Sequence, residues 1–243
     1  VEGYGPASYG DAMADVYDEW YGELPQRAAA VECLVKLAED GTALELGVGT
    51  GRLALPLAAR GVPVVGVDAS APMIERLRAK PGGDSVVAIV ADMAAPLPAG
   101  PFSLVFAAVN TFFLLDTERA QADCFASVAT RLTPGGRLAI EAFVPDAGDE
   151  PTDHVAVRDL AIDRVVLEVS RSDPTGQMAE GQYVELTERG GVRLRPWRIR
   201  WATPTQLDGY AVAAGLQLES RWASWDGAPF TTDSTHHVSV WRR

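Results

Sequence analysis

The stretch ALELGVGTGRLALPLAARG, residues 43 to 61, runs on into VPVVGVDAS, residues 62 to 70. It reads as a buried strand, a glycine-rich turn, a helix, a second strand and an acid at that strand's end, a unit that holds a nucleoside. Gly47, Gly49 and Gly51 are spaced G-x-G-x-G. Glycine there allows positive φ and lets the backbone approach a ligand closely. The dinucleotide fingerprint G-x-G-x-x-G would need glycine where Arg52 stands, so the match to a nicotinamide cofactor fails. No Lys-Ser/Thr pair follows to grip phosphates.

Acids flank this turn. Glu45 stands one residue before the end of the first strand, and Asp68 ends the second, 21 residues after Gly47. A carboxylate at that place can accept both hydroxyl hydrogens of a ribose. Asp92 ends the third strand, in IVADM, where it can accept from an exocyclic adenine amine. Met73 and Met93 would give the adenine an apolar slot. Acids without a phosphate grip suit a nucleoside that carries positive charge and no phosphate.

Working outward, 243 residues are expected to form one domain, or one domain with an insertion. No apolar run is long enough for a membrane helix, and the acidic, aromatic start lacks the layout of a signal peptide. Asp and Glu number 33 against 21 Lys and Arg, a formal charge of -12. Such a surface repels phosphate backbones, which disfavours nucleic acid or an anionic membrane as partner. Cys33 and Cys124 read as buried free thiols, and the expected location is the cytoplasm.

Residues 1–40 read as a helical lid, with VYDEWY (16–21) and RAAAVECLVKLAED (27–40). Strand candidates 42–46, 62–68, 85–92, 102–109 and 136–143 then alternate with helix candidates 51–60, 71–79 and 117–131. Pro56 sits inside the first of these helices, in conflict with its missing backbone donor. After Pro151, segments 154–159, 161–172, 177–188 and 191–201 read as an antiparallel meander, followed by a helix (203–215) and two strands (216–222, 237–243). The expected fold is α/β: a doubly wound, seven-stranded, mainly parallel sheet with an antiparallel β-meander insertion. The core comprises 41–150 and 203–243, the insertion 151–202, all within one domain.

ELGVGTG, GVDAS, ADMAAPL and LTPGGRLAIEAF together resemble the class I S-adenosylmethionine-dependent methyltransferases, over residues 42 to 145 and more loosely the last two strands. The resemblance implies a Rossmann-like methyltransferase fold, S-adenosyl-L-methionine as cofactor and S-adenosyl-L-homocysteine as product. It places Gly47, Gly49 and Gly51 along the methionine part, Asp68 on the ribose, and Asp92 and Met93 at the adenine. Tyr17 or Tyr21 would cap the cofactor from the lid. Glu45, Ala69, Met73 and Asn110 complete the implied contacts.

Methyl transfer from a sulfonium is an in-line displacement that needs the nucleophile roughly 3 Å from the methyl carbon and water excluded. A general base helps only where the acceptor must lose a proton. Candidates near the acceptor are Asn110 and Phe113 after the fourth strand, Glu141 in AIEAF, and His236 before the last strand. Asn110 would otherwise tie down its turn, and Glu141 would pair with an arginine. His236 and His237 alternate faces, so at most one points inward; His154 is a weaker base candidate. The histidines and cysteines show no metal-ligand spacing. Trp197, Trp201, Trp222, Trp225 and Phe230 would wall an acceptor pocket, pack the insertion, or form a dimer surface.

The expected activity is methyl transfer to N or O of a small molecule of natural-product or amino-sugar type, with a homodimer formed through the insertion. The alternatives are a cofactor-binding protein of this fold with a non-methylating or sensory role (sensor, scaffold or lyase-like catalyst) and, disfavoured by Arg52 and the acid ending the third strand, a nicotinamide-dependent oxidoreductase.

Overall fold

The computed structural model describes residues 1–243 apart from 23–25, 146–147 and 149. The described residues form two sheets. The larger is built from β1 (Ala43–Leu46), β2 (Val64–Asp68), β3 (Val86–Val90), β4 (Phe102–Ala107), β5 (Leu132–Phe143), β10 (Gln217–Trp222) and β11 (His236–Arg242). Its order is β10-β11-β5-β4-β1-β2-β3. The strands from β5 to β3 run parallel, and β11 is antiparallel to both of its neighbours. The direction of winding reverses between β1 and β4, which opens a crevice at their carboxyl ends. Gly47 leaves β1 there, and Val109 and Asn110 follow β4.

The period of two in the strands divides the core between the sheet's faces. On one side Ala43, Leu104, Phe106 and Val240 pack on α3 (Arg27–Ala38), α4 (Ala54–Ala59) and α5 (Ala71–Ala79). On the other, Leu44, Leu46, Val105 and Trp241 pack on α6 (Glu118–Arg131) and α7 (Pro204–Ala213). Side-chain caps set the helix starts. Ser70 accepts from the Met73 amide, Thr117 from the Ala120 amide, and Thr203 forms a reciprocal capping box with Gln206.

Several boundaries differ from the sequence reading. The helix expected over 51–60 occupies only Ala54–Ala59, so Pro56 falls in its first turn, where the backbone donor has no helical partner to lose. The conflict thereby disappears. β3 ends at Val90, which leaves Asp92 two residues past the strand rather than at its end. β5 starts four residues early and takes in Pro134-Gly135-Gly136. His236 and His237 are the first residues of β11, and Cys33 is half-buried rather than buried.

The N-terminal region holds two short helices, α1 (Ser8–Met13) and α2 (Tyr17–Tyr21). The meander β6 (Thr152–Leu160), β7 (Arg164–Asp173), β8 (Met178–Thr187) and β9 (Gly191–Arg200) forms its own four-stranded sheet in that order. One of its faces meets the helices: Trp20 packs edge-on against Tyr183, and Arg195 ion-pairs with Asp15. The register brings Val157, Leu167, Val184 and Leu194 into one row on the opposite face. That face is open: Val157 is 62% exposed and Leu194 56%.

Candidate active site

A cavity at the carboxyl ends of β1, β2 and β3 is lined by Gly47, Asp68, Ala69, Asp92, Met93 and Leu115, among others. The glycine turn is shaped for it. Gly47 and Gly49 have φ of +67° and +52°. A Cβ on Gly47 would collide with the Thr111 side chain, so only glycine allows the turn after β4 to close against the turn after β1. Asp68 holds the geometry: Oδ2 accepts from the Gly49 amide at 2.8 Å, and Oδ1 from the Ser70 amide at 2.9 Å. Burial raises its pKa, and these two backbone bonds oppose the rise. Asp92 Oδ1 accepts from the Ala94 amide at 2.9 Å, which fixes the carboxyl at the cavity wall.

Glu45 lies 5% exposed among the site residues, and its Oε2 has no hydrogen-bond partner among the described residues. Burial pushes its carboxyl up to about 8, with nearby Arg52 opposing and Asp68 adding to the rise. A buried acid oxygen without a partner is costly unless a ligand satisfies it. A ligand ammonium meets that need, so the residues present fit the amino-acid end of S-adenosylmethionine.

Of the expected cofactor residues, Tyr17, Tyr21, Glu45, Gly49, Gly51, Met73 and Asn110 do not line this cavity, and Gly51 and Met73 pack against other parts of the chain. Gly51, at φ +82°, faces Leu55 and Leu77, and a Cβ would press into both. Its role is to seat α4 against α5, not to line the cavity. Met73 is 2% exposed and packs with Met13, Ala14 and Val16 under the lid helices. The apolar wall near Met93 is made by Val67, Ala91 and Leu115 instead.

The lid is tied to both turns of the site. Tyr17 Cε1 stands 4.0 Å from the position a Gly49 Cβ would occupy, and the Arg52 guanidinium lies 5.7 Å from the Tyr17 ring centre. Asp18 Oδ1 accepts from the Thr50 hydroxyl at 2.6 Å and from Lys80 Nζ at 2.7 Å. Arg52 donates to the Tyr21 carbonyl at 3.1 Å, and the Ser70 hydroxyl donates to Asp11 at 2.7 Å. Tyr21 and Tyr183 approach hydroxyl to hydroxyl at 3.5 Å. The sequence reading did not single out Asp11, Asp18, Thr50, Lys80 or Tyr183. Thr50 alone carried a signal, as the one residue with a side-chain hydroxyl inside the glycine turn.

A second cavity is lined by Arg27, Arg52, Asn110, Glu141, Trp225 and His236, among others. Asn110 adopts φ +61°, and its Oδ1 accepts from the Phe143 amide at 2.8 Å. Glu141 Oε2 accepts from the Val109 amide at 2.8 Å, so its partner is backbone rather than an arginine. Both side chains join the end of β4 to β5 while facing the cavity. The turn that follows reaches the first cavity through Leu114 and Leu115. His236 is exposed, with Nδ1 3.0 Å from Thr235 Oγ1. His237 points to the opposite face, fully buried against Phe230 and Ser239. Burial, with Arg221 next, pushes it down to about 4.

The remaining aromatic residues scatter. Phe113 is core, edge-on to Phe143. Trp197 packs at Gly181, Trp201 on the α6–α7 core, and Trp222 on the α3–α4 core, while Trp225 reaches the second cavity. His154 is exposed on β6.

Comparison with known proteins gives consistent matches. Residues 43–136 match the family model described as a methyltransferase domain. The solved structure of the CcbJ methyltransferase from Streptomyces caelestis is 40% identical, with a TM-score of 0.90 over 98% of this chain and 99% of that one. The cypemycin N-terminal methyltransferase of a Streptomyces species is 27% identical over 98% of each chain. S-adenosylmethionine-bound CalS10, an amino pentose methyltransferase from Micromonospora echinaspora, has a TM-score of 0.69 at 20% identity, covering 95% of this chain and 96% of that one.

Proposed function

The chain belongs to the class I S-adenosylmethionine-dependent methyltransferases, and we propose that its acceptor is an amine nitrogen on a small natural product, amino sugars being the first class to test. The observation that carries the cofactor assignment is the cavity at the carboxyl ends of β1, β2 and β3, where Asp68 and Asp92 share the wall with Gly47 while the unpartnered Glu45 oxygen is buried near Asp68. Two of the relatives are named for methylating amino groups or amino sugars, which supports nitrogen as the acceptor atom.

S-adenosylmethionine, when bound, supplies a methyl group on an electron-poor sulfonium. The chain's residues do the rest. Asp68 would hold the ribose, Asp92 and Met93 the adenine, and Glu45 the ammonium. Tyr17 would close the site over Gly49. Burial raises the Tyr17 phenol, so it stays protonated at neutral pH and does not serve as a base. Glu141 and His236, in the second cavity, are the groups placed to take a proton from the acceptor. An amine that reaches the site neutral needs no such help.

The outer face of the insertion supports self-association. Four strands of nine or ten residues present on the order of 600 Å² per face, near the roughly 800 Å² that each partner gives to a standard interface. A homodimer through this face is part of the reading. No described helix is long and apolar enough to cross a membrane. The two free cysteines and the acidic charge support the cytoplasm as the place of action.

The test is a transfer assay with methyl-labelled cofactor against amino sugars, other amines and phenols. Label on nitrogen supports the proposal. Label confined to phenol oxygen, or no S-adenosylhomocysteine above the acceptor-free rate, contradicts it.

A further inference from the structure

The insertion carries many arginines; among the described residues Arg158 and Arg189 make no ion pair, and of these two Arg158 alone stands against aromatic rings. Arg164, Arg171, Arg193, Arg195, Arg198 and Arg200 each ion-pair with an acid. Arg158 makes no ion pair or hydrogen bond among the described residues. Its guanidinium stands instead 4.9 Å from the Trp20 ring centre and 4.8 Å from those of Tyr21 and Tyr183. A cation within about 6 Å of one ring face is already attracted by the ring's quadrupole. Here three rings, from α2 and from β8, surround the same charge.

We propose that Trp20, Tyr21 and Tyr183 form a subsite for the cationic amine or methylated ammonium of the acceptor, and that Arg158 fills this subsite in the free protein.

Three observations support the exchange. First, Arg158 is the unpaired residue of a β-bulge: Val157 pairs with Leu167 and Asp159 with Val166, leaving Arg158 between them. Bulges re-aim a side chain and recur beside active sites. β6 is also the outer strand of its sheet, bonded only to β7, so its movement breaks one ladder. Second, Arg158 is exposed and has no partner to lose besides the rings, unlike Arg195, which also approaches Trp20 but is held by Asp15 and Glu185. Third, the rings lead to the cofactor turn. Tyr21 is 5.2 Å, centre to centre, from Tyr17, and Tyr17 touches the space above Gly49.

Charge and chemistry agree with this. A net charge of -12 draws cations toward the protein. An aromatic cage discriminates in favour of ammonium and methylated ammonium over neutral or anionic groups: it holds the protonated acceptor before its proton leaves to free the nitrogen lone pair, and the methylated ammonium after transfer. The inference rests on the amine-acceptor reading. It adds where the amine's charge is held and what must leave first.

The test titrates tetramethylammonium chloride into the full-length protein by calorimetry, with sodium chloride at matched ionic strength as control. S-adenosylhomocysteine is titrated into the same samples. Arg158→Ala is expected to bind tetramethylammonium at least ten-fold more tightly than the parent protein. Adding Tyr183→Leu should remove that gain. Arg158→Gln, which keeps the side chain's length without its charge, should behave as Arg158→Ala does. No gain in either arginine variant, or a gain that survives Tyr183→Leu, overturns the subsite and leaves Arg158 a fixed clamp on the lid. Failure of the parent protein to bind S-adenosylhomocysteine overturns the methyl-transfer reading instead.

Discussion

The parallel sheet and the insertion hold their parts together by different means. In the parallel sheet, buried aliphatic strands fix the frame, and the site is made by backbone: glycines with positive φ, two amides on Asp68, and turns that close on one another. In the insertion, arginines and aromatic rings grip the lid helices from the side. Arg195 is the centre of that grip, 1% exposed and bonded to Asp15, Glu185 and the Ala12 carbonyl. The cofactor crevice is thus built mainly by backbone, and the junction of lid and insertion by side chains. The first should resist most substitutions outside its few acids and glycines. The second should be sensitive wherever a charge is buried.

The largest effect is therefore expected at Arg195. Removing one partner of a buried ion pair leaves the other uncompensated, typically at about 3–5 kcal/mol. Asp15 is partly exposed, which places Arg195→Met near the lower end, about 3 kcal/mol. For a chain of this size that lowers Tm by roughly 6–12 °C. Scanning calorimetry that finds no shift would show that the lid and insertion are held elsewhere.

Next is Asp68→Ala, which removes the expected ribose contact together with the anchor of the Gly49 amide. Loss of charge-assisted hydrogen bonds should weaken S-adenosylmethionine binding roughly 10- to 100-fold. An unchanged affinity in calorimetry would mean that the ribose is not held at this acid.

How much of this contrast was legible follows from the same physics. Glycine where φ is positive and apolar runs at period two are local demands on sequence, so the strands, the turn and the acids near it could be read directly. The parallel, doubly wound class of the sheet followed from alternating strands and helices, whereas its strand order came only from the folded chain. The lid contacts could not be read, because Asp18 meets Thr50 and Lys80, and Trp20 meets Tyr183, only through the folded chain. Met73 was misplaced for a related reason: an amphipathic helix carries its methionine toward whichever neighbour covers it, and here the lid covers it. Gly51 looked like a ligand glycine but serves the packing of Leu55 and Leu77.

A smaller effect concerns pH. Burial raises Glu45 from an ordinary 4.5 to about 8. Its contribution to the stability of the cofactor-free protein is therefore full below pH 4.5 and is lost as pH rises through 8. An incoming ammonium favours the carboxylate, so binding releases a proton in that window. S-adenosylmethionine affinity should rise from pH 5 to 8 and then level off. Glu45→Gln should flatten the rise, and a slope that persists in this variant would assign it to another group.

The smallest expected change in stability is on the insertion's outer face. Val157→Glu combined with Leu194→Glu alters exposed positions and should cost less than about 0.5 kcal/mol per site. It should nevertheless convert a dimer to a monomer in sedimentation velocity. A parent protein already monomeric at high concentration would remove the insertion's role as an interface.

The most direct test of the two-sided site is a crystal structure with S-adenosylhomocysteine bound. The expected result is adenine at Asp92 and Met93, ribose hydroxyls on Asp68, the amino group at Glu45 Oε2, and the sulfur facing the tyrosines of the lid. Adenosine bound elsewhere, or an amino group out of reach of Glu45, would contradict it.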